Sequence, residues 1–170
     1  MPQNFPVLIS GCLLGISCRY DGRESGCPGI IKTVSLVNFT PFCPEQLGGL
    51  ATPRPPANIV GGDGRDVLSG KARIINSLGE DVTEAFRRGA YESLKLARLM
   101  GAKIAVLKDQ SPSCGLFTPY CESLDKKGIG VTAALFDSSG IKTLEMGGSD
   151  YFPSQDFIRL FEEAYGRSPV

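Results

Sequence analysis

The sequence predicts an α/β fold, a small three-layer sandwich built on about four parallel strands. Two observations carry this. Short apolar runs alternate with stretches of helical periodicity, the pattern of βαβ units, whose strands pair in parallel. Three of those runs also break into turns that hold a cysteine, Cys12, Cys43 and Cys114, so parallel pairing brings all three thiols to the carboxyl edge of one sheet. In an open α/β sheet that edge is where ligands bind.

The first strand is Pro6–Ser10, followed by the Cys12 loop and a turn at Arg19-Tyr20-Asp21-Gly22, where the Asp-Gly pair supplies the bend. Pro28 opens a short helix that reaches Leu36, because proline suits the first helical turn. Val37–Phe42 is the second strand. From Leu47 to Asp66 the chain carries Gly48-Gly49, Pro53, Pro55-Pro56, Gly61-Gly62 and Gly64, which predicts a long irregular excursion over one end of the sheet. Lys71–Asn76 and Asp66-Val67-Leu68 read as the arms of a small hairpin turning at Ser69-Gly70. Asp81-Val82-Thr83-Glu84 is a helix start, with Asp81 accepting the amide three residues on and Glu84 reaching back. Val82, Ala85, Phe86, Ala90, Leu94, Ala97 and Leu99 then form one face at helical spacing, ended by Gly101. Lys103–Leu107 is the third strand. Gly130–Phe136 begins a helix that stops near Gly140, and Ile141–Leu144 is the fourth strand. Pro153–Tyr165 is an amphipathic helix with Phe157, Leu160, Phe161 and Ala164 on one side. Joined by right-handed crossovers, these elements make a Rossmann-like sandwich, one domain over residues 1–170.

Composition narrows the function. The 18 basic residues balance 18 acidic ones, so the chain lacks the electrostatic footprint of a non-specific nucleic-acid binder, although a local basic patch stays open. No run is long enough to span a membrane and the N-terminus lacks an export pattern, so a soluble cytoplasmic protein is expected. Six cysteines accompany no histidine. That excludes Ser-His-Asp and Cys-His catalysis, histidine metal ligands and HExxH proteases. A chain with ample core and no export signal keeps its thiols reduced rather than paired in disulfides.

Cys12, Cys43 and Cys114 lie 31 and 71 residues apart, and no CxxC spacing occurs, which removes zinc ribbons and thioredoxin-type motifs. One buried cysteine commonly fills space. Three at equivalent strand ends, each flanked by Pro or Gly, favour ligation. An all-sulfur donor set suits iron–sulfur or zinc, and three thiolates leave one metal position open. Cys18, six residues after Cys12, is able to close such a site, resolve a disulfide or simply pack. Packing is the expectation for Cys27 and Cys121. Glu45 follows Cys43 across a rigid proline, within side-chain reach, and is the candidate for general acid–base work. Ser111 and Ser113 flank Pro112 beside Cys114; their hydroxyls either meet a substrate or satisfy turn amides. Gly48-Gly49 offers amides for close approach to a small planar ligand. For Arg19 and Arg54 a solvated surface position is expected.

Six segments together, Cys12-Leu13-Leu14-Gly15, Arg19-Tyr20-Asp21-Gly22, Cys43-Pro44-Glu45-Gln46-Leu47-Gly48-Gly49, Pro53-Arg54-Pro55-Pro56, Asp81-Val82-Thr83-Glu84-Ala85-Phe86 and Ser111-Pro112-Ser113-Cys114-Gly115, resemble the thiouracil desulfidase family. They occur in order from about Val7 to Leu144. The resemblance implies an oxygen-sensitive [4Fe-4S] enzyme whose cluster is held by Cys12, Cys43 and Cys114. The iron without a protein ligand would take the sulfur of a thiolated nucleobase such as 2- or 4-thiouracil. Water activated by Glu45 would attack the ring carbon, with Ser111 and Ser113 assisting, to give uracil and hydrogen sulfide without net redox change. Relatives acting on transfer RNA carry a fused domain absent here, so transfer RNA is not the favoured partner. The stretch Leu116-Phe117-Thr118-Pro119-Tyr120-Cys121-Glu122 departs from the family's glycine-rich pattern and leaves substrate choice open. Two rival functions stand beside this one: a metal- or cluster-bearing sensor or scaffold without chemistry, and a thiol–disulfide enzyme using Cys12 and Cys18.

Overall fold

The computed structural model describes residues 5–117, 119 and 127–169. Four parallel strands form the central sheet: β1 (Pro6–Ser10), β2 (Asn38–Phe42), β5 (Ile104–Lys108) and β6 (Lys142–Met146), in the spatial order β2-β1-β5-β6. Val7 pairs with Phe39 on one side and with Ile104 on the other. The chain therefore builds outward from β1 to β2, then reverses to place β5 on the opposite flank. Such a reversal leaves a crevice at the carboxyl ends of the two strands beside it, here β1 and β5.

Strands covered on both faces read as continuous apolar runs, and every residue of β1 is buried. Alternation still sorts the two layers. Val7, Ile9, Ile104 and Val106 face a cluster with α1 (Pro28–Lys32) and α6 (Gln155–Tyr165). Leu8, Ala105 and Leu107 face α4 (Thr83–Met100) and α5 (Val131–Ser138). On the α6 side an aromatic row links Phe152, Phe157, Phe161 and Tyr165 through ring centroids 4.6, 5.8 and 4.9 Å apart. The Tyr165 hydroxyl donates to the Pro6 carbonyl at 2.6 Å and accepts the Lys103 amide at 3.0 Å, tying the helix end to the amino edges of β1 and β5.

Several local expectations are corrected. The glycine- and proline-rich stretch from Leu47 to Asp66 is not wholly irregular, because it contains β3 (Ala57–Val60). That strand, and not residues 66–68, pairs antiparallel with β4 (Arg73–Asn76). Asp66-Val67-Leu68 belongs instead to a short helix, α3 (Gly64–Leu68). The cause is local: Asp63 accepts the Arg65 amide at 2.8 Å while Asp66 accepts the Asp63 amide at 3.1 Å, a reciprocal cap that winds the chain. At α4 the expected reciprocal cap is absent. Asp81 accepts from the amide and hydroxyl of Thr83, two residues on, and Glu84 pairs with Arg87. α1 ends at Lys32, four residues short of Leu36, where the Thr33 hydroxyl donates to the Ile30 carbonyl at 2.8 Å. An unanticipated turn of helix, α2 (Pro44–Leu47), follows β2 with Pro44 in its first turn.

Two glycines seat α2 on α4. A Cβ on Gly89 would meet the Pro44 carbonyl oxygen at 2.0 Å, and one on Gly48 would meet that of Ala85 at 2.1 Å. Gly48 thus serves helix packing, and Gly49, at φ +90°, takes the left-handed conformation just after it. The Arg88 Nε donates to the Gly48 carbonyl at 2.9 Å, and neither glycine lines the cleft described below.

Candidate functional site

Each of the three strand ends delivers one cysteine to the same place. Cys12 sits in a 3-10 turn, Gly11–Leu14, directly after β1. Cys43 immediately precedes Pro44, between β2 and α2. Cys114 closes a tight loop after β5, where the Ser111 hydroxyl oxygen accepts the amides of Ser113 at 3.2 Å and Cys114 at 3.0 Å. Gln110, at φ +49°, takes the left-handed conformation that opens this loop. The amides at the start of α5 complete it: Gly130 donates to the Gly115 carbonyl, Val131 to that of Pro112 and Thr132 to that of Ser113, at 2.7–2.9 Å.

Cys12, Cys43 and Cys114 together line a cleft of about 350 Å³ at the crevice between β1 and β5. Cys18 joins them. It lines the same cleft, and its carbonyl accepts the Cys43 thiol at 3.6 Å. Cys27 is fully buried on the α6 side of the sheet, with its thiol donating to the Asp150 carbonyl at 3.3 Å, a packing role as expected. Cys121 lies outside the described residues.

Glu45 and Arg54 form the charged wall of the cleft. The Arg54 Nε donates to the Glu45 Oε2 at 2.5 Å. Arg54 also reaches the Cys18 carbonyl at 3.1 Å, the Thr52 hydroxyl at 3.1 Å and the Cys43 sulfur at 3.9 Å. Its side chain is 6% exposed, so the expected solvated arginine is instead the best-anchored cation of the site. The adjoining Pro-rich sequence gave no sign of this; the contacts with Glu45, Cys18 and Cys43 explain it. Arg19 lines the cleft and pairs with Asp21 at 3.1 Å, partly exposed. Ser111 lines the cleft, whereas the Ser113 hydroxyl is buried 2.9 Å from that of Thr132, and Ser113 does not line it. Ser10, Asn58, Lys108 and Asp109 also line the cleft and carried no sequence signal, since each sits in or beside an ordinary strand.

Burial and mutual contact disfavour ionisation of three of these thiols, as they do for cysteines that pack a core. The hydrogen bond with Cys12, and then burial, push the Cys18 thiol up to about 11, against a smaller opposing effect of Cys43. The contact with Cys18 and then burial push Cys43 far above its ordinary value. Burial, ahead of the nearby Cys43 and Glu45, pushes Cys114 up to about 12. A metal centre bound here would hold these sulfurs as thiolates, a charge that the Arg54 guanidinium, 3.9 Å from the Cys43 sulfur, complements. Among the described residues no three Cys, Asp or Glu side chains stand close enough to grip a single metal ion. A cluster binds each thiolate to a different iron and so needs a wider spacing than one ion does. Four cysteine sulfurs, of Cys12, Cys18, Cys43 and Cys114, face one cleft from three segments and form an all-sulfur donor set suited to an iron–sulfur centre.

Known proteins resemble this chain in sequence and in fold. The profile of the family described as 2-thiouracil desulfurase matches residues 7–146. A Bacillus subtilis (strain 168) protein described as uncharacterized protein YbbK is 44% identical over 141 residues, 81% of this chain and 93% of that one. A solved structure described as the [4Fe-4S]-dependent thiouracil desulfidase TudS superposes with a TM-score of 0.73 at 32% identity, covering 96% of this chain and 99% of that one. Among the described residues no helix is long and apolar enough to cross a membrane.

Proposed function

The chain belongs to the 2-thiouracil desulfurase family, and from that membership we propose that it is a [4Fe-4S]-dependent desulfidase acting on a thiolated pyrimidine base. The observation that carries the reading is the convergence of Cys12, Cys43 and Cys114 on one cleft that also holds the Glu45–Arg54 pair. Those three thiolates would hold the cluster. When bound, the cluster supplies a Lewis-acidic iron for the thiocarbonyl sulfur.

The chain's own residues do the rest. Arg54 fixes the Glu45 carboxylate through Oε2 and stops it from swinging away from the cleft. Glu45 orients a water and takes its proton as the oxygen adds to the thiocarbonyl carbon. Carbon–sulfur cleavage then returns protons to the departing sulfur, so that thiocarbonyl plus water gives carbonyl plus hydrogen sulfide. Ser111 holds the Cys114 loop in shape through two amides and presents its hydroxyl at the cleft. Ser113 supports the same loop from behind, through Thr132, and needs no contact with substrate. A small planar base is the substrate that this reading favours over transfer RNA.

Glu45→Gln separates chemistry from assembly. In protein purified without oxygen, the variant is expected to keep the brown cluster absorbance and lose sulfide release from 2- and 4-thiouracil. Full turnover in the variant would remove Glu45 from the mechanism. The Cys12–Cys18 contact is what a thiol–disulfide reading would rest on, and iron-free protein active in disulfide exchange would favour it.

A further inference from the structure

Ser10 ends β1 in a setting that the proposed chemistry leaves unused. Ser10 is 3% exposed, and its hydroxyl oxygen accepts the Lys108 amide at 2.9 Å across the β1–β5 crevice. Because that lone pair is engaged, the single hydroxyl proton is directed elsewhere, and the Cys114 sulfur lies 3.5 Å away. Cys114 is itself 5% exposed, so water does not compete for the contact.

We propose that Ser10 is a positioning residue for the cluster: its hydroxyl donates to the Cys114 thiolate, orients that ligand and lowers the electron density on its sulfur. The inference rests on the reading that Cys114 is a cluster ligand. A hydrogen bond to a ligating sulfur stabilises the more electron-rich state and so raises the reduction potential. Partners that orient a ligand from behind are typically worth about 10–100-fold in metal affinity. The Lys108 amide makes the arrangement rigid, since the hydroxyl cannot rotate its proton toward β5 without losing that bond. Ser10 also bridges the two strands whose ends define the crevice, so strand pairing and ligand geometry are set by one side chain.

The test compares holoenzyme of wild type, Ser10→Ala and Ser10→Thr, all purified and kept without oxygen. Ser10→Ala is expected to show a more negative midpoint potential and to lose its cluster absorbance about 10-fold faster on exposure to air. Ser10→Thr, which keeps the hydroxyl, is expected to restore both. A loaded Ser10→Ala whose potential and lifetime match wild type overturns this inference alone; a wild-type chain that takes up no iron overturns it together with the cluster reading. Should alanine prevent folding, electron–nuclear double resonance on the reduced wild type reads the same contact. An exchangeable proton coupled to the cluster is expected, and its absence overturns the inference.

Discussion

Gly89 offers the sharpest link between packing and chemistry, because it lies on α4, outside the cleft lining, yet sets where α2 rests. In Gly89→Ala the new Cβ would stand 2.0 Å from the Pro44 carbonyl oxygen, and real Cβ contacts do not fall below 3.0 Å. Helices α2 and α4 must therefore separate by about 1 Å, a distance given directly by those two values. Overpacking of this kind costs about 1–3 kcal/mol, while alanine returns about 1 kcal/mol of helix propensity, leaving a net loss of about 0–2 kcal/mol. At about 2–4 °C per kcal/mol for a chain of this size, the fall in Tm is modest. Catalysis is far less tolerant. α2 carries Glu45 and follows directly on Cys43, and a displacement of about 1 Å at a catalytic group costs on the order of 100-fold in rate. Sulfide release from 4-thiouracil, measured beside a thermal melt, is expected to drop far out of proportion to stability. Gly101→Ala is the control: the position has φ +67° and nothing within 4 Å of its Cβ, so it should lose about 1 kcal/mol and no turnover. Gly89→Ala with wild-type turnover would refute the coupling between α4 and the site.

Other outcomes follow from the same contacts. Arg54→Met removes the cation from a pair whose side chains are 6% and 14% exposed; urea unfolding should show a loss of about 3 kcal/mol, and sulfide release should fall with it. Asp63→Ala breaks the cap of α3 and should cost about 1 kcal/mol by the same measurement, whereas Glu84→Ala, whose carboxylate is exposed, should be close to neutral. Cys18→Ser should still take up a full cluster on anaerobic reconstitution, because three ligands suffice; failure to bind iron would make Cys18 part of the ligand set.

The sheet and its loaded edge were legible because strands buried on both faces must be apolar throughout, and a cysteine after such a run can only emerge at its end. Val7–Ile9 and Ile104–Leu107 announce themselves in this way. The ribbon of β3 and β4 was not legible. Ala57–Val60 is four residues long between proline and glycine clusters, and its partner is defined by pairing, which no local pattern encodes. The α3 cap was hidden for a related reason, since Asp63 and Asp66 sit among glycines that suggest a loop. Within the site, ligand candidates were readable from topology, but their supports were not. Arg54 is buried by contacts with Glu45, Cys43 and Cys18, and Ser10 acquires its role only when β5 arrives beside β1. Gly48-Gly49 looked like a ligand platform because close approach was evident while the approaching group, α4, was not.

Iron and acid-labile sulfide, measured in protein purified without oxygen, test the central claim most directly. Wild type should hold about one [4Fe-4S] cluster per chain, and Cys12→Ser, Cys43→Ser and Cys114→Ser should each lose most of it and all sulfide release from thiouracil. An iron-free wild type that still releases sulfide, or single variants that keep a full cluster, would contradict the claim that these three thiolates share one metal centre.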